Sequence, residues 1–349
     1  MRVTQQYTID VIAGDGIGKE VTPAAIRCVD ALAHRHGFTV EWRHRYWGSD
    51  HFLEHGTMMP SDGLEQLATG DAIYLGAVGH PDIDDTETLW GLLIPIRREF
   101  QQYVNLRPAR TLPGLAAHAT ATDFDMLIVR ENTEGEYSEI GGRFGRGTPA
   151  EAAVQEAVFT RHGIERITRY ACALAADRGR KLVSATKSNG IIHTMPFWDE
   201  VVAEVAAEEG IEVDKVLIDA LAARFVLAPD SIDVCVASNL FGDILSDLAA
   251  AVAGSIGVAP SANLNPEREF PSLFEPVHGS APDIAGRGIA NPVAAIWAAA
   301  MMLDHLGQPD AAAQLEAAFR DCLANGIATG DLGGSASTDE FTAAVIERL

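Results

Sequence analysis

"YTIDVIAGDGIGKEVTPAAIRCVDAL", residues 7–32, decides the fold class. An apolar run with β-branched residues comes first, then a glycine-rich turn, then a helical pattern, so the stretch reads as strand, turn, helix. The turn Gly14-Asp15-Gly16-Ile17-Gly18 invites comparison with the dinucleotide fingerprint Gly-x-Gly-x-x-Gly. That fingerprint needs a third glycine where Lys19 stands, and no convincing acidic residue follows about 20 positions on. The turn either simply feeds the helix or touches a cofactor by another geometry. Further strands are expected at 71–79, 125–132, 180–190, 213–221 and 232–243, with helices at 154–159, 164–176, 198–208 and 291–306. Strands alternating with helices imply an α/β fold with a largely parallel sheet.

The chain has 349 residues, enough for a large core and two lobes. Its formal net charge of −23 argues against non-specific nucleic-acid binding and against docking on anionic membranes. Cys28, Cys172, Cys235 and Cys322 are too far apart for a Cys-x-x-Cys motif, so they read as buried free thiols of a reducing compartment. The first residues lack the apolar core of a signal peptide, and the longest apolar run, 293–303, is too short to span a bilayer. The expected location is the cytoplasm.

Polar residues recur where strands are expected to end: Arg130-Glu131-Asn132, Lys187-Ser188-Asn189, Asp219 and the stretch 239–243. Open α/β sheets bind ligands beyond those ends. In "SNLFGDILSDLAA", residues 238–250, Asn239 can cap a helix whose apolar face holds Leu240, Ile244, Leu245 and Leu248. Asp243 and Asp247 then lie one above the other and repel. They form either a solvated stripe or two hard oxygen ligands for one face of Mg²⁺ or Mn²⁺. Arg97, Arg98, Arg107, Arg110 and Arg130 supply guanidinium groups suited to carboxylates, and Arg107, before Pro108, sits on extended chain. Such a set suits a small diacid chelated through its hydroxyl, with Lys187 to take the hydroxyl proton and Tyr137 to return one to carbon.

The ordered motifs "IAGDGIGKEV", "NLRPAR", "VRENTEGEY", "ATKSNG", "SNLFGDILSDL", "FEPVHGSAPDIAGRGIANP" and "GDLGGSAST" span nearly the whole chain. The sequence thereby resembles the β-decarboxylating dehydrogenase family, which includes isocitrate, 3-isopropylmalate, homoisocitrate and tartrate/D-malate dehydrogenases. The resemblance implies an isocitrate/isopropylmalate dehydrogenase-like α/β fold, two lobes around a mixed, largely parallel twisted sheet and not a Rossmann fold, which fits the failed fingerprint. Residues 1–105 and 258–349 would form the large cofactor-side domain. Residues 106–257 would form the small one, with the dimer interface and the metal and catalytic residues. It assigns Arg97, Arg107 and Arg130 to substrate carboxylates, Tyr137 to the general acid, Lys187 to the general base, and Asp219, Asp243 and Asp247 to the metal. Lys187 and Asp219 would reach in from the partner subunit of a homodimer. It places Ile17, Asn189, His278, Gly279, Ser280, Ala281 and Asn291 around the cofactor. Asp283 and Ile284 fall where NADP-using isocitrate enzymes carry a lysine and a tyrosine, and an acid there repels a 2′-phosphate, so the implied cofactor is NAD. K⁺ is a further implied activator.

Substrate choice in the family is set just before Arg97. The serine and asparagine of the isocitrate enzymes are absent from "WGLLIPIR", residues 90–97. Leu93 and Ile94 match the leucine pair of the isopropylmalate enzymes, but Trp90 stands where those carry glutamate. The segment is most similar to the tartrate/D-malate branch, in which Trp90 closes the pocket over a small C3 substituent and Leu93 lines it. Leu92 either adds apolar surface to that pocket or packs behind it. The expected reaction is NAD-dependent oxidation, with β-decarboxylation, of D-malate to pyruvate and CO₂, or tartrate oxidation. The alternatives are a 3-isopropylmalate or 3-alkylmalate dehydrogenase and, more remotely, a non-catalytic regulatory subunit.

Overall fold

The computed structural model describes residues 5–115, 123–179 and 181–349. Arg180, first of the stretch read as a strand at 180–190, lies outside the described residues, as does the beginning of the N-terminal stretch. The chain divides into two compact units. One comprises residues 1–102, 110–118 and 250–349, the other residues 103–109 and 119–249.

In the first unit the strand order is Phe38–His44, Gln5–Gly14, Ala72–Ala77, Ser272–Pro276, Pro260–Leu264. The first three pairings are parallel and the last is antiparallel, which makes this sheet mixed. Ala72–Ala77 is buried at all six positions, as a central strand covered on both faces must be. Helix Gly18–His36 ends on Gly37, whose φ of 73° is the left-handed cap that glycine adopts without strain. Helix Val293–His305 buries ten residues on every side, so it runs through the core instead of over it. Tyr74 donates its hydroxyl to the Ala295 carbonyl at 2.6 Å, fixing that helix to the central strand.

In the second unit the order is Val104–Arg110, Asp125–Glu131, Val234–Ala237, Leu182–Thr186, Val213–Leu217, and the last three pairings are parallel. Helices Arg161–Arg178 and Thr194–Glu209 pack on each other and on these strands. The whole is therefore α/β with largely parallel strands, and neither unit carries the Rossmann order. No helix of the described residues is long and apolar enough to cross a membrane. All four cysteines are free and buried.

The helix expected at 154–159 is not formed. Ala152–Gln155 instead pairs antiparallel with Gly141–Phe144, and Val158 bridges Gly135. The apolar residues of such a short run fit either period. Val154 is 48% exposed, so a helical face here has no core to bury against, while the hairpin satisfies the backbone directly.

His305, at the end of the core helix, lies 5.5 Å from the Phe274 ring. Burial, with Arg268 nearby, lowers its pKa to about 4. The unfolded chain binds this proton below about pH 6.5, the folded chain only below about 4. Stability from this site is therefore complete above that window and is lost as pH falls through it, by about 3 kcal/mol at most. In urea titrations at pH 6.5 and pH 4.5, His305→Leu should lose less stability on acidification than the parent chain. Equal losses would show that His305 is not the group responsible.

Candidate active site

Helix Asn239–Ala253 follows strand Val234–Ala237 after one residue. Asn239 does not cap it. Its Oδ1 accepts from Arg130 Nε at 3.1 Å and Nη2 at 2.6 Å, and its Nδ2 donates to the Glu134 carbonyl. The first-turn donors go elsewhere: Glu136 accepts from the Ser238 hydroxyl at 2.8 Å and the Leu240 N–H at 3.0 Å. A carboxylate suits a helix N-terminus, where free N–H groups concentrate positive potential.

Asp243 and Asp247 stand on this helix, Asp247 the more exposed. Arg107, buried on strand Val104–Arg110, reaches Asp243 Oδ1 at 3.2 Å, Asp247 Oδ1 at 3.6 Å and the Ser246 hydroxyl at 2.6 Å. Arg130, 2% exposed at the end of its strand, also donates to Asp243 Oδ1. The Tyr137 hydroxyl donates to Asp243 Oδ2 at 3.0 Å, and the Arg130 guanidinium lies 5.5 Å from its ring centre. Partial burial, with Asp243 beside it, raises the Asp247 carboxyl above its ordinary range against the pull of Arg107. The repulsion within the pair is thus met by two guanidinium groups. Hard carboxylate oxygens one helical turn apart, still partly exposed and already drawing positive charge, have the donor chemistry of a divalent-cation site.

Lys187, at the end of strand Leu182–Thr186, binds Asp219 at 2.5 Å, and that contact holds the Asp219 carboxyl below its usual range. Among the described residues no three His, Cys, Asp or Glu side chains of this chain gather at one metal position. Asn189 is exposed in the turn beyond Lys187.

The turn that carries Tyr137 is held by three glutamates. Glu131 is buried, which pushes its carboxyl up to about 7, and it accepts from the N–H groups of Thr133 and Glu134 and from the Thr133 hydroxyl. Glu134 accepts from the N–H and hydroxyl of Thr160, at the start of helix Arg161–Arg178. Glu136 clamps the helix bearing Asp243, as described.

In the first unit, residues Leu89–Leu93 form a π-helical turn, a widened turn common near functional sites. A Cβ on Gly91 would lie 2.7 Å from Met58 Cγ, so a side chain there would displace Met58. Trp90 and Leu93 remain partly exposed, and the Arg98 guanidinium lies 5.0 Å from the Trp90 ring centre. Leu92 is fully buried among Ile12, Trp47, Met58, Leu75 and Ile96, so it packs behind this surface. Ile94 is buried as well. Arg97, 5% exposed, binds Glu275 at 3.0 Å, and Asn263 donates to the same Glu275 oxygen at 2.8 Å. Arg97 Nε, like Arg107 Nε of the second unit, is buried with no acceptor among the described residues. Each is an unused donor of the kind a ligand carboxylate satisfies.

The glycine-rich turn is explained by the protein itself. A Cβ on Gly14 would lie 2.0 Å from the Ala77 carbonyl oxygen, and one on Gly16 the same distance from that of Ser280. Asp15 accepts from the Ser49 hydroxyl, the Ser49 N–H and the Gly79 N–H. Ile17 is buried, and its N–H donates to the Ser280 carbonyl at 2.8 Å. His278, Gly279, Ser280, Ala281, Asp283 and Ile284 follow one another in this neighbouring loop, with Ala281 at an unusual φ of 40°. His278 Nε2 is buried without a partner among the described residues, and burial lowers its pKa. Neutral imidazole with an unmet nitrogen, beside exposed Gly279 and Asp283, fits a nucleoside ligand. Asn291 is 7% exposed and donates to Asp331 at 2.9 Å.

Sequence reasoning did not single out Glu275, Ser246 or Glu136. The signal for Glu275 was a lone acid inside the otherwise uncharged strand Ser272–Pro276. Ser246 and Glu136 carried none, since polar residues at such positions are ordinary.

A model of the isocitrate/isopropylmalate dehydrogenase family matches residues 8–345. The chain is 55% identical to D-malate dehydrogenase (decarboxylating) of Escherichia coli (strain K12), over 97% of each protein. It is 52% identical to the tartrate dehydrogenase/decarboxylase of Pseudomonas putida, over 98% of each. Among solved structures it is similar to isocitrate dehydrogenase from Methylococcus capsulatus, with a TM-score of 0.89 and 37% identity over 98% of this chain and 99% of that one.

The buried Arg97–Glu275 pair yields a stability prediction. Glu275→Ala leaves a buried guanidinium without its counter-charge and should cost about 3–5 kcal/mol in urea unfolding. Glu275→Gln, which keeps an acceptor, should cost less. A loss below about 1 kcal/mol for the alanine variant would mean that Arg97 relaxes into solvent.

Proposed function

This chain belongs to the isocitrate/isopropylmalate dehydrogenase family, and on that premise we propose that it oxidises and decarboxylates D-malate or a tartrate with NAD and Mn²⁺ or Mg²⁺. It is a decarboxylating dehydrogenase of hydroxy acids; the particular diacid and the cofactors are the proposal. One observation carries the reading. Arg107 and Arg130 converge on Asp243 beside the Tyr137 hydroxyl, with Arg107 Nε left over for a ligand oxygen.

In this reading Arg97, Arg107 and Arg130 hold the substrate carboxylates, each charged hydrogen bond contributing about 1.5–3 kcal/mol. Lys187 takes the C2 hydroxyl proton. Lys187 and Asp219 form a self-contained pair in one chain, which suits delivery of both to the site of a second subunit. NAD supplies the two-electron acceptor, held by Ile17, Asn189, His278, Gly279, Ser280, Ala281, Asp283, Ile284 and Asn291. The divalent ion, on Asp243 and Asp247 with Asp219, supplies Lewis acidity. Once the C3 carboxylate of the oxidised diacid has left as CO₂, Tyr137 gives a proton to C3, and pyruvate results. The large-domain and small-domain roles, the homodimer, K⁺ activation and a cytoplasmic setting belong to the same proposal.

The burial of Leu92 and Ile94 favours a small substrate over a 3-alkylmalate. An alkyl pocket in this segment would rest on Leu93 alone, beside a Trp90 flanked by Arg98.

Two measurements test the proposal. With NAD and Mn²⁺, kcat/KM for D-malate or a tartrate should exceed that for 3-isopropylmalate and isocitrate by at least about tenfold; an isopropylmalate preference overturns the small-pocket reading. Lys187→Ala should abolish NADH formation while leaving Mn²⁺ binding, read by electron paramagnetic resonance, intact. Undiminished turnover would remove Lys187 from the base role.

A further inference from the structure

We propose that Glu136 is a positioning residue for Tyr137, clamping the turn that bears the tyrosine to the N-terminus of the helix that bears Asp243. The inference rests on the reading of Tyr137 as the proton donor to C3. Glu136 uses both carboxylate oxygens on that helix start, one on the Ser238 hydroxyl at 2.8 Å and one on the Leu240 N–H at 3.0 Å. Tyr137 is the next residue, so a shift at 136 moves its Cα directly. The Tyr137 hydroxyl contacts Asp243 Oδ2 at 3.0 Å, on the same helix. The phenol and the carboxylate it addresses are therefore set relative to each other by a short closed circuit: helix start, Glu136, Tyr137, Asp243.

The other anchors of the turn act differently. Glu131 folds it on itself, Glu134 ties it to the start of helix Arg161–Arg178, and Gln155 Nε2 donates to the Glu136 carbonyl at 3.1 Å. Asn239 adds one bond from the aspartate helix to the Glu134 carbonyl.

The step at stake is simple to write. The electron pair of the enolate left by loss of CO₂ forms a C3–H bond, the tyrosine O–H bond breaks, and solvent restores the phenol proton. A displacement of about 1 Å at such a donor can cost on the order of a hundredfold in rate.

The test separates proton transfer at C3 from hydride transfer at C2. Holoenzyme with Mn²⁺ and NADH is incubated with pyruvate in deuterated water, and deuterium entry into the methyl group is followed by proton NMR. First-turnover NADH formation from D-malate is measured by stopped flow on the same variants. Glu136→Ala should slow exchange about ten- to hundredfold while changing first-turnover NADH formation by less than about threefold. Glu136→Gln should recover most of the exchange, because its amide oxygen can accept from Leu240 and its amide N–H can donate to Ser238. Glu136→Asp keeps the charge but shortens the reach by one methylene. It should lose about tenfold in exchange, and covers the case in which the alanine variant does not fold. Unchanged exchange in the alanine and aspartate variants, or a parallel fall of both steps, overturns the inference. Tyr137→Phe sorts the failures. If it loses exchange while Glu136→Ala keeps it, the positioning role alone is wrong. If Tyr137→Phe keeps full exchange, or the unmodified enzyme shows none, the reading of Tyr137 fails and the inference with it.

Discussion

Two carboxylates one helical turn apart need positive charge beside them, and the second unit is arranged to provide it. Asp243 sits between Arg107, Arg130 and Tyr137, each delivered by a different part of the chain. Strand ends deliver the arginines, and a glutamate-held turn delivers the tyrosine. Arg130 can be almost wholly buried because Asn239 and Asp243 between them take its donors. Without that compensation the strand end would hold an isolated buried cation, which folding does not tolerate.

The first unit solves a related problem with different parts. Arg97 is buried against Glu275, on the strand that joins the parallel and antiparallel pairings of its sheet. Asn263, on the antiparallel neighbour, supports the same carboxylate oxygen. The guanidinium is thus oriented by two strands, and its remaining Nε has a fixed place in a dry setting. Such preorganisation lets a charged donor meet a ligand without first paying for reorientation.

Much of this was legible in the sequence. The alternation of elements gave the α/β class, the family resemblance implied a mixed sheet and not a Rossmann one, and polar residues at strand ends marked Arg130, Lys187 and Asp243 for attention. What stayed hidden depends on contacts distant in the chain. Asn239 reads as a cap by local chemistry, yet its oxygen goes to Arg130, and Glu136, 102 residues before Ser238, takes donors of the helix start. Leu92 is indistinguishable from Leu93 in the sequence, since the widened turn decides which of them faces the core. The run at 154–159 has both periods available, and the absence of a core beneath Val154 settles it. Gly14 and Gly16 look like cofactor glycines, yet carbonyl oxygens of Ala77 and Ser280 already occupy the space beside them.

The four buried cysteines carry a consequence of another kind. Burial raises the thiols of Cys28 and Cys235 to about 12 and that of Cys172 to about 11, and Cys322 moves the same way. At neutral pH almost no thiolate exists in the folded chain, and the thiolate is the form that attacks electrophiles and is oxidised. The native fold thereby suppresses the reactive form of all four thiols. Attack on these thiols by peroxides, alkylating agents or disulfides therefore depends on opening of the fold, which exposes the sulfur and restores its ordinary acidity.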